Sequence, residues 1–200
     1  MKDLNTEQKI LSAAIAIFQK KGMSGARMQE IADEAKINKA MLHYYFRSKQ
    51  QLFEAVFQQA FRKFAPHINS IFNSDLSVFD KIRAFTDNYI SFVIENPFLP
   101  SFLIYEINSN PDFAKKFFEA HDTPNPHLFA QQIANEVENG ILKPIDPKQL
   151  LLDLISLTAF SFVATGMVKG LLKIEDGSFR LMMEERKRLI PELLINAIKP

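Results

Sequence analysis

The sequence of 200 residues predicts an all-α fold from three observations. Apolar residues recur at three- and four-residue steps along almost the whole chain, which is the spacing of one face of an α-helix. No run of alternating polar and apolar residues is long enough to indicate a sheet. Prolines stand near several expected helix starts, where a missing N–H group costs least: Pro97, Pro111, Pro126 and Pro147.

The composition is that of a globular protein. Apolar residues make up 47% of the chain and charged residues 24%, which excludes global disorder. The absence of cysteine excludes disulfides, zinc–thiolate sites and thiol nucleophiles. The presence of 19 phenylalanines without tryptophan indicates an aromatic-rich interior. No basic segment followed by an apolar one opens the sequence, so we expect a cytoplasmic protein.

The charge is distributed unevenly along the chain. Residues 1–52 carry nine Lys and Arg against five Asp and Glu, a net charge of +4. The remaining residues carry fifteen basic and eighteen acidic groups, a net charge of −3. A small basic domain joined to a mildly acidic body favours a polyanionic partner for the N-terminal part.

The first quarter of the chain predicts three helices with the layout of a helix-turn-helix unit. We expect the first helix to follow an N-cap at Asn5 or Thr6 and to end at Gly22. The second is expected over about 27–35 and the third over about 38–46. A tight turn of two residues joins the second helix to the third.

The rest of the chain predicts longer helices. Ser48 and Gln51 have the spacing of a capping box, and the helix that they open is expected to stop at Pro66. Pro191 is expected to kink the last helix. The helices expected after Pro66 lie near 77–95, 97–109, 111–121, 126–139, 147–173 and 178–198.

Residues 150–168 could nearly span a bilayer by length, since Asp153 is their only charge. A carboxylate costs about 2.5–3.5 kcal/mol at the centre of a membrane helix, and hydroxyl side chains add to the cost. We therefore favour a helix that lies between two protein surfaces, and we expect no membrane contact.

The third helix has two chemically different faces. Its apolar face turns toward the small core and carries Ile37, Leu42 and Phe46. Its opposite face is basic, aromatic and hydroxyl-bearing around one small residue, and carries Lys39, Ala40, His43, Tyr44 and Arg47. A helix of about nine residues is ~13 Å long, which suits a major groove ~12 Å wide. Periodicity leaves a merely solvated basic face as an open alternative.

Lys39 and Lys49 both fall in the first turn of a helix, where the macrodipole disfavours a cation. Beside a phosphate, however, a lysine at this position gains a charge-assisted contact.

The run from Met28 to Phe53 closely resembles the DNA-binding signature of the TetR family of transcriptional regulators. The specific elements are Ile-Ala at 31–32, Leu-x-Tyr-Tyr-Phe at 42–46, and Ser-Lys and Leu-Phe at fixed offsets after them. Upstream, the first helix also resembles that of the family at Ile10-Leu11, Ala13-Ala14, Phe18 and Gly22. The resemblance implies a helix-turn-helix DNA-binding domain at 1–50 and a helical effector-binding and dimerisation domain at 51–200.

The resemblance also assigns roles to individual positions. It implies that the residues contacting double-stranded DNA are Arg27, Lys39, Ala40, His43, Tyr44, Tyr45 and Lys49. This sequence departs from the family pattern at three places. Ala26 and Arg27 stand where hydroxyl residues are common, Lys36 stands where Gly is common in the turn, and His43 stands where Tyr is common.

The resemblance also implies that the protein acts as a homodimer on a palindromic operator. The helices near 147–173 and 178–198 would then pair with the same helices of the second subunit. The resemblance implies a repressor that is released by a small-molecule effector, and the excess of phenylalanine favours a largely apolar one. No cofactor and no metal are expected. The candidate ligand-binding residues are Phe85, Tyr89, Phe92, Phe102, Tyr105, Glu106, Phe117, His121, Phe129 and Phe160.

Two other classes of function were weighed. An enzyme is disfavoured because the chain has no Cys nucleophile, no Gly-x-Ser-x-Gly elbow and no phosphate-binding glycine loop. His121 and His127, with the carboxylates near them, match no standard spacing of metal ligands. A helical protein-interaction module without DNA binding remains open.

Overall fold

The computed structural model describes residues 4–109, 112, 115 and 126–200, and this part of the chain forms ten α-helices without a strand. The all-α prediction is therefore confirmed. Of the helix predicted over 111–121, the structure describes only residues 112 and 115, so this helix stays a prediction.

The chain packs as two compact units, Met1–Lys63 and Phe64–Pro200. One long helix, α4 (Lys49–Phe72), begins in the first unit and ends in the second. The functional division predicted after residue 50 stays a prediction, because packing alone does not say which residues bind DNA or an effector.

The first unit contains α1 (Leu4–Gly25), α2 (Met28–Glu34), α3 (Lys39–Tyr45) and the start of α4. The predicted N-cap at Asn5 or Thr6 is wrong, because both residues lie inside the first turn of α1. The predicted break at Gly22 is confirmed, since this glycine has a φ of 65° and a ψ of 178°, which is not helical.

A small apolar core holds the first unit together. Phe18 of α1 packs on Phe53 of α4 with ring centroids 4.6 Å apart, and both side chains are fully buried. Ile31 of α2 and Leu42 of α3 are also fully buried. Each helix of the unit therefore contributes at least one side chain to this core.

Pro66 does not end α4, contrary to the prediction, because the helix continues to Phe72. A proline inside a helix costs about 3 kcal/mol. Beyond it, however, Ile68, Ile71 and Phe72 are buried in the core of the second unit. Burial of each such side chain contributes about 1.5–3 kcal/mol, so tertiary packing outweighs the local penalty.

The second unit adds six described helices: α5 (Val78–Glu95), α6 (Leu99–Ser109), α7 (His127–Glu138), α8 (Pro147–Val163), α9 (Thr165–Leu172) and α10 (Asp176–Ile198). The helices expected at 77–95, 126–139 and 178–198 are confirmed to within two residues. Ser77 caps α5, and Asp146 caps α8 just before Pro147. Pro191 lies inside α10.

The single helix predicted over 147–173 is wrong, because the chain bends by 77° between α8 and α9. Ala164 stands at the break with a φ of −101° and a ψ of 27°. Thr165 Oγ1 donates to the carbonyl oxygens of Phe162 at 2.7 Å and Ser161 at 3.2 Å, and such back-bonding by threonine bends helices.

Among the described residues, no individual helix has both the length and the hydropathy for a membrane span. Only the bent pair of α8 and α9 has them when the two helices are taken together.

Lys81 is a buried charged residue in the second unit. Its Nζ donates to the carbonyl oxygen of Phe72 at 2.9 Å and to Gln132 Oε1 at 2.6 Å. It also lies 5.7 Å from the centre of the Phe129 ring. Desolvation lowers the pKa of this ammonium, while the nearby carboxylates of Asp75 and Glu136 act in the opposite direction. Lys81 thus ties the end of α4 to α5 and α7.

Candidate nucleic-acid interface

The turn between α2 and α3 contains a residue with a left-handed backbone conformation. Lys36 has a φ of 55°, in the region where glycine is common. The amide of Ile37 donates to the carbonyl of Ala32 at 3.0 Å, and that of Lys36 donates to the carbonyl of Asp33 at 3.1 Å. These are the bonds of a helix C-terminal cap, which leaves α3 free to start at a new angle.

Asn38 and two buried side chains fix α3. Asn38 is the N-cap, and its Oδ1 accepts a hydrogen bond from the amide of Met41 at 2.7 Å. Leu42 and Phe46 are buried in the first unit. The predicted inward face of α3 is therefore confirmed at these two positions, while Ile37 is half-buried.

The opposite side of α3 is open to solvent. We call Lys39, Ala40, His43, Tyr44 and Arg47 the outer face of α3, and all five residues are exposed. Tyr44 is 61% exposed. Tyr45 is half-buried and packs edge-on against Tyr44 with ring centroids 5.5 Å apart. Together with Gln51, His43, both tyrosines and Arg47 line a shallow depression.

Arg27 lies at the start of α2. It is the N-cap residue, its side chain is exposed, and it makes no side-chain cap bond. Next to it, Ala26 is buried. Lys21 of α1 forms a 2.8 Å ion pair with Glu30 of α2, and this hydrogen bond holds the pKa of the Glu30 carboxyl below its usual range. The ion pair links α1 and α2 beside Arg27.

Lys49 has partners that the sequence did not indicate. Its Nζ donates to the carbonyl oxygen of Ala26 at 3.0 Å and to that of Ser24 at 3.4 Å. These acceptors lie 23 and 25 residues away along the chain. No local spacing pattern could have revealed the interaction, because it depends on how α1 and α4 pack.

The start of α4 follows the predicted capping box in part. Ser48 Oγ accepts from the amide of Gln51 at 3.1 Å. Gln51 Oε1 accepts from the amide of Arg47 at 3.2 Å, one residue before the cap instead of at the cap itself. Gln51 thus joins the backbone at the end of the outer face to α4, in addition to its expected part in helix capping.

The candidate ligand-binding residues have different surroundings in the described part of the second unit, and two of them, Phe85 and Tyr89, stack with ring centroids 5.8 Å apart. Phe85 and Phe129 are buried in its core and stack on Phe72. Phe102 is buried, whereas Tyr105 and Phe160 are exposed. The side chain of Glu106, and both Phe117 and His121, lie outside the described residues.

Tyr89 and Phe92 of α5 are half-buried and meet α4. Phe64 stacks on Phe92 with ring centroids 4.2 Å apart and meets Tyr89 edge-on at 5.9 Å. Burial raises the pKa of the Tyr89 phenol to about 12. These three rings form an aromatic contact between α4 and α5 within the second unit.

An apolar strip on the surface of α10 is also exposed. We call Leu181, Leu189 and Leu193 the leucine stripe; they are spaced by eight and four residues, and all three are exposed. On α8, Leu152, Ile155 and Phe160 are exposed as well. Arg186 ties the two helices, since its Nη2 donates to the carbonyl oxygen of Leu157 at 2.7 Å.

Residues 10–56 match the family model described as bacterial regulatory proteins, tetR family. The chain is 41% identical over 59 residues to the HTH-type transcriptional repressor NicS of Pseudomonas putida, covering 30% of this chain and 28% of NicS. It is 22% identical over 147 residues to the negative transcriptional regulator IcaR of the icaADBC biofilm operon in Staphylococcus epidermidis, covering 74% of this chain and 73% of IcaR. The match thus spans little more than a quarter of NicS.

A solved structure shares the whole fold. The TetR/AcrR family transcriptional regulator of Thermobifida fusca YX-ER1 superposes with a TM-score of 0.69 and 20% identity, and the match covers 96% of this chain and 97% of the other. Both units therefore have the fold of a protein named as a transcriptional regulator.

Proposed function

We propose, on the premise that residues 10–56 match the model of the tetR family of bacterial regulatory proteins, that this chain is a ligand-responsive transcriptional repressor. It binds a palindromic operator as a homodimer, and a small, largely apolar effector releases it. The outer face of α3 is the observation that carries the proposal.

The outer face of α3 fits the major groove chemically. Lys39 and Arg47 supply cations for phosphates and base edges, and His43 and Tyr44 supply polar groups on rings that are free to reach a base pair. Ala40 is small, so the helix axis can approach the groove floor. Arg27 at the start of α2 supplies a further cation, and Tyr45 braces Tyr44 from the side.

The leucine stripe supports a homodimer. Exposed leucines repeated along one helix cost solvation free energy in a monomer, and a second copy of the same helix covers them. The partner surface would include α8, which carries its own exposed apolar residues. Two copies of α3 would then address half-sites about 34–36 Å apart or a multiple of that distance.

The aromatic contact between α4 and α5 supports the response to an effector. A ligand that inserts beside Tyr89 and Phe92 must displace the Phe64 ring, and Phe64 belongs to the helix that begins at the DNA-binding domain. An effector that favours the displaced state by 1–3 kcal/mol weakens DNA binding about 5–150-fold. In a thermal-shift screen we expect apolar ligands to stabilise the protein, and stabilisation by highly charged ligands alone would refute this part of the proposal.

We assign no enzymatic activity to the chain. The relatives that the chain matches are named as transcriptional regulators.

Selection of bound sequences from random duplexes tests the proposal directly. We expect the wild-type protein to enrich an inverted repeat, and the double variant Lys39→Ala, Tyr44→Ala to lose the enrichment. Lys148→Ala removes an exposed lysine from the second unit and serves as the matched control, which should enrich the same repeat. A protein-interaction module without DNA binding would enrich no sequence with any of these proteins.

A further inference from the structure

Lys49 differs from Lys39 in what its ammonium already binds. Lys39 is exposed and makes no hydrogen bond or ion pair with any residue that the structure describes. Lys49 is half-buried, and its Nζ donates to the backbone carbonyls of Ser24 and Ala26. Resemblance alone would give the two lysines the same kind of role, whereas their surroundings give them different ones.

The position of Lys49 is electrostatically reasonable. A cation in the first turn of α4 is opposed by the positive end of the helix macrodipole. Two carbonyl oxygens, each with a partial negative charge, offset that cost, and the bonds from a charged donor are stronger than those from a neutral one. No phosphate is needed to explain why a lysine is tolerated here.

The two carbonyls lie where the chain passes from α1 to α2. Only Ala26 and Arg27 separate these helices, so a tether on Ala26 also restrains the backbone of Arg27. The ion pair between Lys21 and Glu30 also connects α1 to α2 across this junction. Because α2 leads into α3 through a tight turn, the placement of this junction sets the placement of α3.

We propose that Lys49 is a positioning residue, which fixes the end of α1 at Ser24 and the following Ala26 to the first turn of α4 and does not itself bind a DNA phosphate. The inference rests on the proposed function only for its consequence on DNA binding. The tether itself exists with or without DNA.

The salt dependence of DNA binding separates the two roles. Removal of one lysine–phosphate pair lowers the slope of log affinity against log salt by about 0.9, so its removal from both half-sites lowers the slope by about 1.8. On the duplex that the selection returns, we expect Lys39→Gln to flatten the slope by this amount. Lys49→Gln should weaken binding and keep the wild-type slope. A slope flattened to the same extent by both variants overturns the proposal.

Chemical footprinting of the wild-type protein provides a test that needs no variant. Acetic anhydride modifies free lysine amines, and mass spectrometry reads each site with and without the duplex. We expect Lys39 to react quickly alone and to be protected by DNA. Lys49 should react slowly in both states, because its ammonium is already bonded. Fast reaction of Lys49 alone, followed by protection on DNA, would overturn the proposal.

Amide hydrogen exchange tests the tether without DNA. In Lys49→Gln we expect the amides of residues 24–30 to exchange faster than in the wild type, and Lys49→Arg should restore part of the protection because it keeps a charged donor. Unchanged exchange in Lys49→Gln would show that Lys49 does not restrain the backbone of residues 24–30, and it would overturn the proposal. If no duplex is ever bound, the proposed function fails, and this measurement still decides the role of Lys49.

Discussion

The two units of this protein are stabilised in different ways. In the first unit a small core is supplemented by polar interactions at its junctions: the Asn38 cap, the Ser48 cap, the Lys21–Glu30 ion pair and the hydrogen bonds of Lys49 to backbone carbonyls. In the second unit long helices bury a large apolar core, with Lys81 as a buried charge inside it. The second unit also leaves apolar side chains, those of the leucine stripe, on its surface.

This difference in stabilisation suits the different proposed binding partners of the two units, DNA for the first and a second subunit for the second. A small domain buries little surface, so directional interactions must set the angles at which its helices present polar groups. A larger domain is fixed by its core, and it can leave apolar residues outside for association. The following predictions test this contrast, beginning with the largest expected effect.

The double variant Leu189→Asp, Leu193→Asp should break the homodimer. It removes four leucines from a symmetric interface, and each contributes about 1.5–3 kcal/mol when buried. We expect dimer affinity to fall by at least about 1,000-fold, measured by sedimentation equilibrium at micromolar concentration. Leu76→Asp, at an exposed leucine in the turn before α5, is the control and should leave the dimer intact. A wild-type protein that sediments as a monomer would contradict the prediction.

Lys81→Ala should destabilise the second unit by about 2–4 kcal/mol, because it leaves the Phe72 carbonyl and Gln132 without their charged donor. Urea unfolding measures the loss. Lys81→Met keeps the apolar stem and should lose less. The folded pKa of Lys81 is lowered, so its contribution to stability rises with pH between that pKa and 10.5, and this rise should vanish in Lys81→Met. A loss below about 1 kcal/mol in Lys81→Ala would show that the core does not need these hydrogen bonds.

Lys36→Gly and Lys173→Gly should each stabilise the protein by about 0.5–1 kcal/mol. Both lysines have a left-handed backbone conformation, with φ values of 55° and 53°, and glycine adopts this conformation without steric cost. Lys36 lies in the first unit and Lys173 in the second. Urea unfolding of the two variants therefore shows whether the two units unfold together. If the transition is single, both variants should shift the same midpoint, whereas two separate transitions should each respond to one variant only.

Much of the first unit could be predicted from the sequence because its signals are local. The capping spacing of Ser48 and Gln51 and the two faces of α3 all depend on residues within one or two helical turns. The tether made by Lys49 could not be predicted for the opposite reason, since its acceptors, the carbonyls of Ser24 and Ala26, lie 25 and 23 residues away along the chain.

In the second unit the errors came from tertiary packing. Pro66 is a strong local stop signal, but the burial of Ile71 and Phe72 outweighs it. The bend at Ala164 was hidden because the apolar pattern continues across it. A ligand-binding role for Phe85 and Phe129 stays a prediction, because a phenylalanine that faces a cavity and one that faces the core have the same periodicity.

The arrangement of the tyrosines gives the protein an internal optical probe. It has four tyrosines and no tryptophan, so when tyrosine is excited selectively over phenylalanine, the emission comes from Tyr44, Tyr45, Tyr89 and Tyr105. Two of the four fluorophores belong to the helix proposed to enter the groove, where stacking or exclusion of water would change their quantum yield. Burial raises the pKa of the Tyr89 phenol to about 12, so this ring keeps its phenol form at neutral pH. Tyrosine fluorescence can thus be used to follow the docking of α3 on DNA in the unlabelled protein.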